Sequence, residues 1–202
     1  MTMFLPWRPV LLAGGSVPTI STSVTHAETE VLRRLAAQTG ASQWRRAHPD
    51  DQDTDVRFAP RAGDVLEVGS AFGYSAIAMA LAGAKVTAVD PHAGELPNSL
   101  EVMRANLDAY EVADQVTIIA EPSQVALPRL ELGSFDLVFI DADHREPAVT
   151  HDAEWALKLL RPGGMLAMHD LDEGSCPGVR AALNKLFDHP QPTVDTLFVH
   201  QL

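Results

Sequence analysis

Residues 66–75 read Leu66-Glu67-Val68-Gly69-Ser70-Ala71-Phe72-Gly73-Tyr74-Ser75, an apolar strand that runs into a glycine turn and then into a helix. Gly69 lets the backbone approach a ligand without a Cβ atom, and Gly73 permits the tight turn into the helix. The free amides at a helix N-terminus favour a carboxylate or a phosphate. A dinucleotide fingerprint needs glycines at spacings 0, 2 and 5, but Ala71 and Tyr74 occupy the last two positions. The dinucleotide interpretation therefore fails, and a Gly-x-x-x-Gly loop, which is common in α/β proteins, does not by itself identify a ligand.

Short apolar runs alternate with helical patterns from residue 64 onward. The predicted strands are Val65–Val68, Lys85–Val89, Val116–Ile119, Leu137–Ile140, Met165–Met168 and Val194–Val199. The predicted helices are Tyr74–Ala82, Ser99–Tyr110, Ser123–Leu130, Pro147–Leu160 and Val179–Phe187. This alternation is typical of a doubly wound α/β fold, in which a mostly parallel sheet carries helices on both faces. We expect the last strand to be antiparallel and to close one edge of the sheet.

A chain of 202 residues fits a single domain. We divide it into an N-terminal arm and helix (1–40), a polar loop or lid (41–63) and an α/β core (64–202). Within the first part, Thr25-His26-Ala27-Glu28 has the form of a capping box and predicts a helix from Ala27 to Gln38. The charged, proline-containing segment that follows is typical of a surface loop.

The chain is acidic, with 15 Lys and Arg residues against 27 Asp and Glu and a formal net charge of −12. Such a surface repels phosphate backbones and anionic lipid, so we expect no nucleic-acid or membrane partner. No apolar run approaches the ~18 residues of a membrane span. Met1–Gly15 lacks the basic start of a signal peptide and is interpreted as an arm that packs on the body or on a second subunit, as in a homodimer. The lone Cys176 excludes an internal disulfide and suits the cytoplasm.

Asp90 ends the second predicted strand, one strand–helix–strand step after the glycine turn. An acid at this position can accept hydrogen bonds from both hydroxyls of a ribose. The alternative is that Asp90 only caps a helix or stabilises a turn.

These residues resemble the class I S-adenosylmethionine (AdoMet)-dependent methyltransferases, and more narrowly the catechol O-methyltransferase group with its bacterial small-molecule relatives. The resemblance extends from Val65 to Gly178 and implies a site for AdoMet. It implies that the acid matching Asp90 binds the ribose and that Ser75 contacts the methionine carboxylate. The residues that it assigns to AdoMet are Glu67, Gly69, Gly73, Tyr74 and Ser75 around the methionine, Asp90 at the ribose, Ser123 and Gln124 at the adenine, and Asp141 nearby.

A second cluster of polar residues follows two neighbouring predicted strands. Asp141-Ala142-Asp143-His144 comes after one strand, and His169-Asp170 ends the next. Ligands of doubly wound sheets bind beyond the carboxyl ends of the strands, so these side chains are expected to converge. Carboxylates there suit a hard cation such as Mg²⁺.

The resemblance implies a role for each residue of this second cluster. Asp141 matches the family's first metal-binding aspartate, and His144 matches a lysine or histidine general base. His169 and Asp170 align with an Asp-Asn ligand pair, so histidine departs from the pattern. Mg²⁺ prefers oxygen ligands, whereas Mn²⁺ or a zinc-like ion tolerates the histidine better. Alternatively, Asp170 binds the metal while His169 contacts only the metal's other ligands or the substrate. The alternatives are that Asp141 or Asp143 caps the next helix, with a cap favoured for Asp143, and that His144 is a solvated loop residue.

The expected activity is methyl transfer from AdoMet to a hydroxyl of a small molecule. Asp141 and Asp170 would hold a divalent metal, Mg²⁺ or Mn²⁺, that lowers the pKa of the hydroxyl, and His144 would take its proton. A metal-independent O- or N-methyltransferase is one alternative. A non-catalytic AdoMet-binding interaction protein is the other.

Overall fold

The computed structural model describes residues 5–6, 20–47, 63–94, 96, 98–172 and 174–202. The predicted arm, Met1–Gly15, lies outside this part of the chain except for Leu5–Pro6. That pair forms a two-residue strand, β1, which is antiparallel to β2 (Ser21–Thr22). Among the described helices, none combines the length and the apolar character needed to cross a membrane.

A six-stranded sheet forms the centre of the molecule. Its strands are β3 (Asp64–Val68), β4 (Lys85–Val89), β5 (Val116–Ile119), β6 (Phe135–Ile140), β7 (Leu160–Met168) and β8 (Phe198–Gln201). The strand order is β5-β4-β3-β6-β7-β8, and only β8 is antiparallel to its neighbour. The predicted fold class is therefore confirmed, including the antiparallel strand at the edge.

Helices cover both faces of the sheet because alternate strand residues bury their side chains on opposite sides. The described helices are α1 (His26–Ala47), α2 (Tyr74–Leu81), α3 (Ser99–Ala109), α4 (Ser123–Ala126), α5 (Glu146–Leu159) and α6 (Pro177–Leu186). Val65 and Leu137 pack in one apolar core with α1, α2 and α3. Leu66 and Val138 pack in the other core with α4, α5 and α6.

The chain reverses its direction of winding between β3 and β6. It builds β4 and β5 on one side of β3 and then returns to place β6 and β7 on the other side. Crevices at such a switch point, beyond the carboxyl ends of the strands, are where doubly wound sheets bind ligands. The ligand site is therefore expected among the residues that follow β3, β4, β6 and β7.

Four predicted boundaries were wrong by four residues or more. Strand β7 begins at Leu160 instead of Met165, and helix α4 ends at Ala126 instead of Leu130. Helix α1 continues to Ala47, so the first seven residues of the predicted 41–63 loop are helical, because Ala, Gln and Arg favour a helix and no proline occurs before Pro49. The rest of that loop, residues 48–62, lies outside the described part of the chain. The last strand begins at Phe198 instead of Val194, since a bridge between Val194 and Leu197 closes a turn there.

Candidate functional site

A cleft of about 800 Å³ opens at the carboxyl ends of the parallel strands. One wall is the glycine turn between β3 and α2, and the opposite wall is the loop after β6. The residues after β7 form part of its floor, and residues 22–25, which lead into α1, border it. A volume of this size suits a small ligand or a cofactor.

The two walls approach each other so closely at Gly69 that no other residue fits. Gly69 has a φ of +91°, and a Cβ placed there would lie 2.1 Å from the carbonyl oxygen of Asp141. The amide of Asp141 donates to the carbonyl of Val68 at 2.8 Å, which holds the ends of β6 and β3 together. The glycine is therefore required by backbone packing between the two strands.

Asp90 fixes the shape of the glycine turn. Its Oδ2 accepts hydrogen bonds from the backbone amides of Ser70 at 3.0 Å and Ala71 at 2.9 Å. Its Oδ1 accepts one from the amide of His92 at 2.7 Å. Asp90 also lines the cleft, where its remaining lone pairs can accept from a ligand. Its contact with a ribose stays a prediction.

Glu67 lies behind the cleft wall. It is fully buried and accepts a hydrogen bond from the hydroxyl of Ser75, which itself lines the cleft. Burial raises the pKa of Glu67 to about 8, against the lowering effect of the Ser75 hydrogen bond. The structure does not place Glu67 among the residues that line the cleft, because its side chain points from β3 towards α2 and not outward. Gly73 is also absent from the lining and makes the turn into α2 with a φ of +86°.

The remaining predicted cofactor residues do reach the cleft. Tyr74 is buried there, and its hydroxyl lies 2.9 Å from Oγ1 of Thr29 on α1. Ser123 and Gln124 begin α4 and line the end near β5. Beside them lies Asp152 of α5, a buried carboxyl that also lines the cleft. Burial raises its pKa.

The structure brings together the four predicted residues after β6 and β7. His169 Nδ1 lies 3.2 Å from Asp170 Oδ1 and 3.5 Å from Asp141 Oδ1. His144 Nε2 lies 2.7 Å from Asp170 Oδ2 and 3.7 Å from Asp141 Oδ1. Although these contacts are short, neither imidazole nitrogen makes a hydrogen bond of acceptable angle within the described residues. Nitrogen and oxygen atoms that converge in this way fit the ligand set of a divalent ion.

The two histidines of this cluster favour the protonated form when no ion is bound. Burial opposes protonation of His169, but Asp141, Asp170 and Glu28 outweigh it and raise its pKa to about 12. Contacts with Asp141 and Asp170 raise the pKa of His144 to about 10, against the effect of partial burial. Burial opposes ionisation of Asp170, yet the two histidines lower its pKa well below the usual range. Without an ion, two imidazolium groups therefore face three carboxylates, those of Asp141, Asp170 and Glu28, near pH 7.

Glu28 is the site residue that sequence reasoning missed. It forms the predicted capping box with Thr25, since Thr25 N donates to Glu28 Oε2 at 2.8 Å and Glu28 N donates to Thr25 Oγ1 at 3.2 Å. The same Oε2 lies 2.9 Å from His169 Nε2, and Oε1 accepts from the amide and hydroxyl of Thr196. The capping motif accounted for the glutamate locally, so nothing in the sequence pointed to its contact with His169.

The capping role expected of Asp143 was wrong. Helix α5 has Arg145 at its N-cap position, and no side chain caps it. Asp143 instead accepts from the Arg145 amide at 2.9 Å and pairs with its guanidinium, which stabilises the turn before the helix. Asp141 does not cap α5 either, since its carboxylate faces the two histidines.

Comparison with known proteins shows the family of the chain. Residues 66–171 match a family described as a methyltransferase domain. A catechol O-methyltransferase from Mycobacterium tuberculosis is 33% identical over 145 residues, which cover 65% of this chain and 63% of that protein. The chain spans less than two thirds of the length of the curated relatives it matches.

Solved structures share the fold over most of the chain. The crystal structure of cofactor-bound Rv0187 from MTB is similar with a TM-score of 0.61 and 26% identity, covering 84% of this chain and 78% of that one. An O-methyltransferase from Bacillus cereus in complex with SAH has a TM-score of 0.62 and 20% identity, covering 87% and 81%. At the latter identity, the likeness shows the fold alone.

Proposed function

The chain belongs to the methyltransferase domain family, and we propose that it transfers a methyl group from AdoMet to a hydroxyl group of a small molecule, assisted by a divalent cation. The observation that carries the proposal is the meeting of two sets of residues in one cleft. The glycine turn with Asp90 and Ser75 forms one wall, and Asp141 and His144 belong to the facing group. A binding protein without catalysis has no need of the second set.

The first wall matches the chemical parts of AdoMet. The amide groups at the start of α2 and the hydroxyl of Ser75 are donors for an amino-acid carboxylate. Asp90 has acceptor capacity for a ribose diol, and the start of α4 with Ser123 and Gln124 borders the space left for the adenine. When bound, AdoMet supplies a methyl group on a sulfonium that is already a good leaving group.

The second set aligns the acceptor and handles its proton. Asp141, Asp170 and His169 would hold the cation, which would act as a Lewis acid on the acceptor hydroxyl. The side chain of His144 is 41% exposed and borders both the main cleft and a shallower neighbouring one. It is therefore placed to contact an acceptor oxygen, whose proton it would take in the neutral form that a cation on Asp141 and Asp170 would favour. The walls hold acceptor and donor in one orientation, and orientation alone can lower a reaction barrier substantially.

A metal-independent transfer is the second candidate, and one observation favours it. His144 Nε2 lies only 2.7 Å from Asp170, and the pKa of His144 is raised to about 10, so a protonated imidazole is stable in this cluster. Such a group would donate a hydrogen bond to the acceptor instead of taking its proton. Turnover that is indifferent to EDTA and to Asp141→Asn would favour this candidate.

The test is a screen for methyl transfer with purified full-length protein and AdoMet. Catechol is the first acceptor to try because a relative is named for it, and other phenols, sugars and amines follow. Mass spectrometry of a product methylated on oxygen would support the proposal. Tight AdoMet binding without transfer to any acceptor would favour a non-catalytic AdoMet-binding protein. The homodimer and the cytoplasmic location stay predictions from the sequence.

A further inference from the structure

The Glu28 carboxylate is buried and engaged on both oxygens. Its side chain is fully inaccessible, although it belongs to the first turn of α1. Oε2 accepts a hydrogen bond from the Thr25 amide and lies 2.9 Å from His169 Nε2. Oε1 accepts hydrogen bonds from the amide of Thr196 at 2.9 Å and from its hydroxyl at 2.8 Å. These contacts from three separate parts of the chain leave the carboxylate little freedom to turn away from the histidine.

This contact distinguishes the two nitrogens of His169. Since a carboxylate only accepts hydrogen bonds, Nε2 carries the hydrogen that it donates to Glu28. The other nitrogen, Nδ1, is buried and has no hydrogen-bond partner among the described residues. It lies 3.5 Å from Asp141 Oδ1 and 3.2 Å from Asp170 Oδ1, and one ligand atom from each of the three residues lies within 4.8 Å of the others. The unpartnered nitrogen and one oxygen of each carboxylate are therefore close enough to bind a single ion.

The distances from His169 Nδ1 to the two carboxylate oxygens match those between ligands of one ion. Metal–ligand distances of about 2.1 Å place two ligands ~3.0 Å apart at a right angle and ~3.4 Å apart at the tetrahedral angle. The observed distances from Nδ1 are 3.2 Å and 3.5 Å. A carboxylate on the far nitrogen of a ligating histidine is also the usual way in which its ring orientation and tautomer are fixed.

We propose that Glu28 holds His169 in the Nε2–H form, so that Nδ1 joins Asp141 and Asp170 in a nitrogen–oxygen–oxygen face that binds a transition-metal ion such as Mn²⁺, Co²⁺ or Zn²⁺ in preference to Mg²⁺. The inference rests on the proposed function and names which cation serves it. An imidazole ligand favours these ions, whereas Mg²⁺ requires oxygen. Glu28 is then a positioning residue, since it reaches the ion only through His169.

The first experiment measures ion binding directly on the full-length protein after removal of bound metal. Calorimetry with Mn²⁺, Co²⁺, Zn²⁺ and Mg²⁺ is expected to give at least about tenfold tighter binding of the transition metals. His169→Asp supplies an oxygen ligand instead and is expected to shift the preference towards Mg²⁺. Equal affinity of the wild-type protein for Mg²⁺ and Mn²⁺, or the same preference in His169→Asp, would overturn the inference.

The second experiment tests the part played by Glu28. Glu28→Gln keeps the size of the side chain and the capping pattern, and it is expected to weaken Co²⁺ binding by about 10–100-fold and to change the absorption spectrum of bound Co²⁺. Glu30→Gln is the matched control, because Glu30 lies one half-turn further on the same helix, is 42% exposed and pairs only with Arg33 and Arg34 among the described residues. Equal Co²⁺ spectra and affinities in the two variants would contradict the positioning role.

Nitrogen-15 NMR of the histidines distinguishes a metal-bound His169 from one that binds no ion and is protonated on both nitrogens. On addition of Zn²⁺, His169 is expected to keep the hydrogen on Nε2 while Nδ1 shifts as a metal ligand. An imidazolium that stays protonated on both nitrogens would overturn the inference. Methyl transfer in the absence of a bound ion would also overturn the inference about the cation, although the proposed methyl transfer would stand. Failure of the protein to bind AdoMet would count against the proposed function instead.

Discussion

Oε2 of Glu28 lies 2.9 Å from Nε2 of His169, although 141 positions separate the two residues in the chain. The contact joins the first turn of α1 to the end of β7, so it ties the helix that packs on one face of the sheet to the residues around the cleft. A single glutamate thereby serves as a helix cap, as a core polar group and as the neighbour of the candidate metal site. Its removal should affect both stability and chemistry.

Glu28→Ala is expected to lower the free energy of unfolding by about 3 kcal/mol or more, because it leaves His169 and Thr196 buried without their acceptor. Glu30→Ala should change it by less than about 0.5 kcal/mol. Urea denaturation measures both values. A loss for Glu28→Ala no larger than for Glu30→Ala would show that the buried contacts contribute little.

Gly69→Ala should be far more damaging than Gly83→Ala. Both glycines have a φ above +90°, so each substitution costs about 1–2 kcal/mol of backbone strain. A Cβ at Gly83 meets nothing within 4 Å, whereas one at Gly69 lies 2.1 Å from the Asp141 carbonyl oxygen and must push β3 and β6 apart. We expect Gly69→Ala to lose at least twice the free energy of Gly83→Ala in thermal or urea unfolding. Equal losses would mean that the close approach of the strands is not rigid.

Glu67 should make stability depend on pH in a defined window. Burial raises its pKa from an ordinary value of 4.5 to about 8, so between these values the folded protein holds a proton that the unfolded chain releases. Stability contributed by this group is therefore complete below pH 4.5 and falls as pH rises towards 8, by up to about 1.4 kcal/mol per pH unit. Glu67→Gln should flatten this part of the profile in urea unfolding at several pH values. An unchanged slope in the variant would assign the dependence to other groups.

Replacing His144 should lower the rate of methyl transfer without changing the affinity for AdoMet. His144→Gln is expected to lower kcat about 100-fold or more, as for the loss of a proton-transfer residue, while AdoMet affinity changes less than twofold. His200→Gln, in the edge strand β8 outside the cleft, is the control and should alter neither value. Steady-state kinetics and calorimetry provide the two measurements. A kcat that is preserved in His144→Gln would remove this residue from the mechanism.

The regular parts of the fold could be predicted because they depend on local patterns. The apolar runs that became β3 to β7 and the capping box before α1 are properties of short stretches, and their bounds differ from the structure mainly by a few residues. The position of the cleft followed from the rule that ligands bind at the carboxyl ends of parallel strands.

The remaining features depend on contacts that no local pattern contains. Glu67 and Ser75 lie in one motif, yet only the packing of α2 on the sheet shows that they bond to each other behind the wall. The partner of His169 comes from α1, and the buried Asp152 reaches the cleft from α5. Such contacts between distant segments depend on how helices sit on the sheet, which periodicity does not specify.

Calorimetric titration of AdoMet into the full-length protein tests the central claim most directly. We expect one AdoMet molecule to bind per chain. Asp90→Ala should weaken this binding about tenfold or more, because it removes a charged hydrogen-bond acceptor. Asp114→Ala should leave the affinity unchanged, because the Asp114 side chain is exposed in the turn before β5. Absence of binding to the folded wild-type protein, or equal binding by Asp90→Ala, would contradict the account.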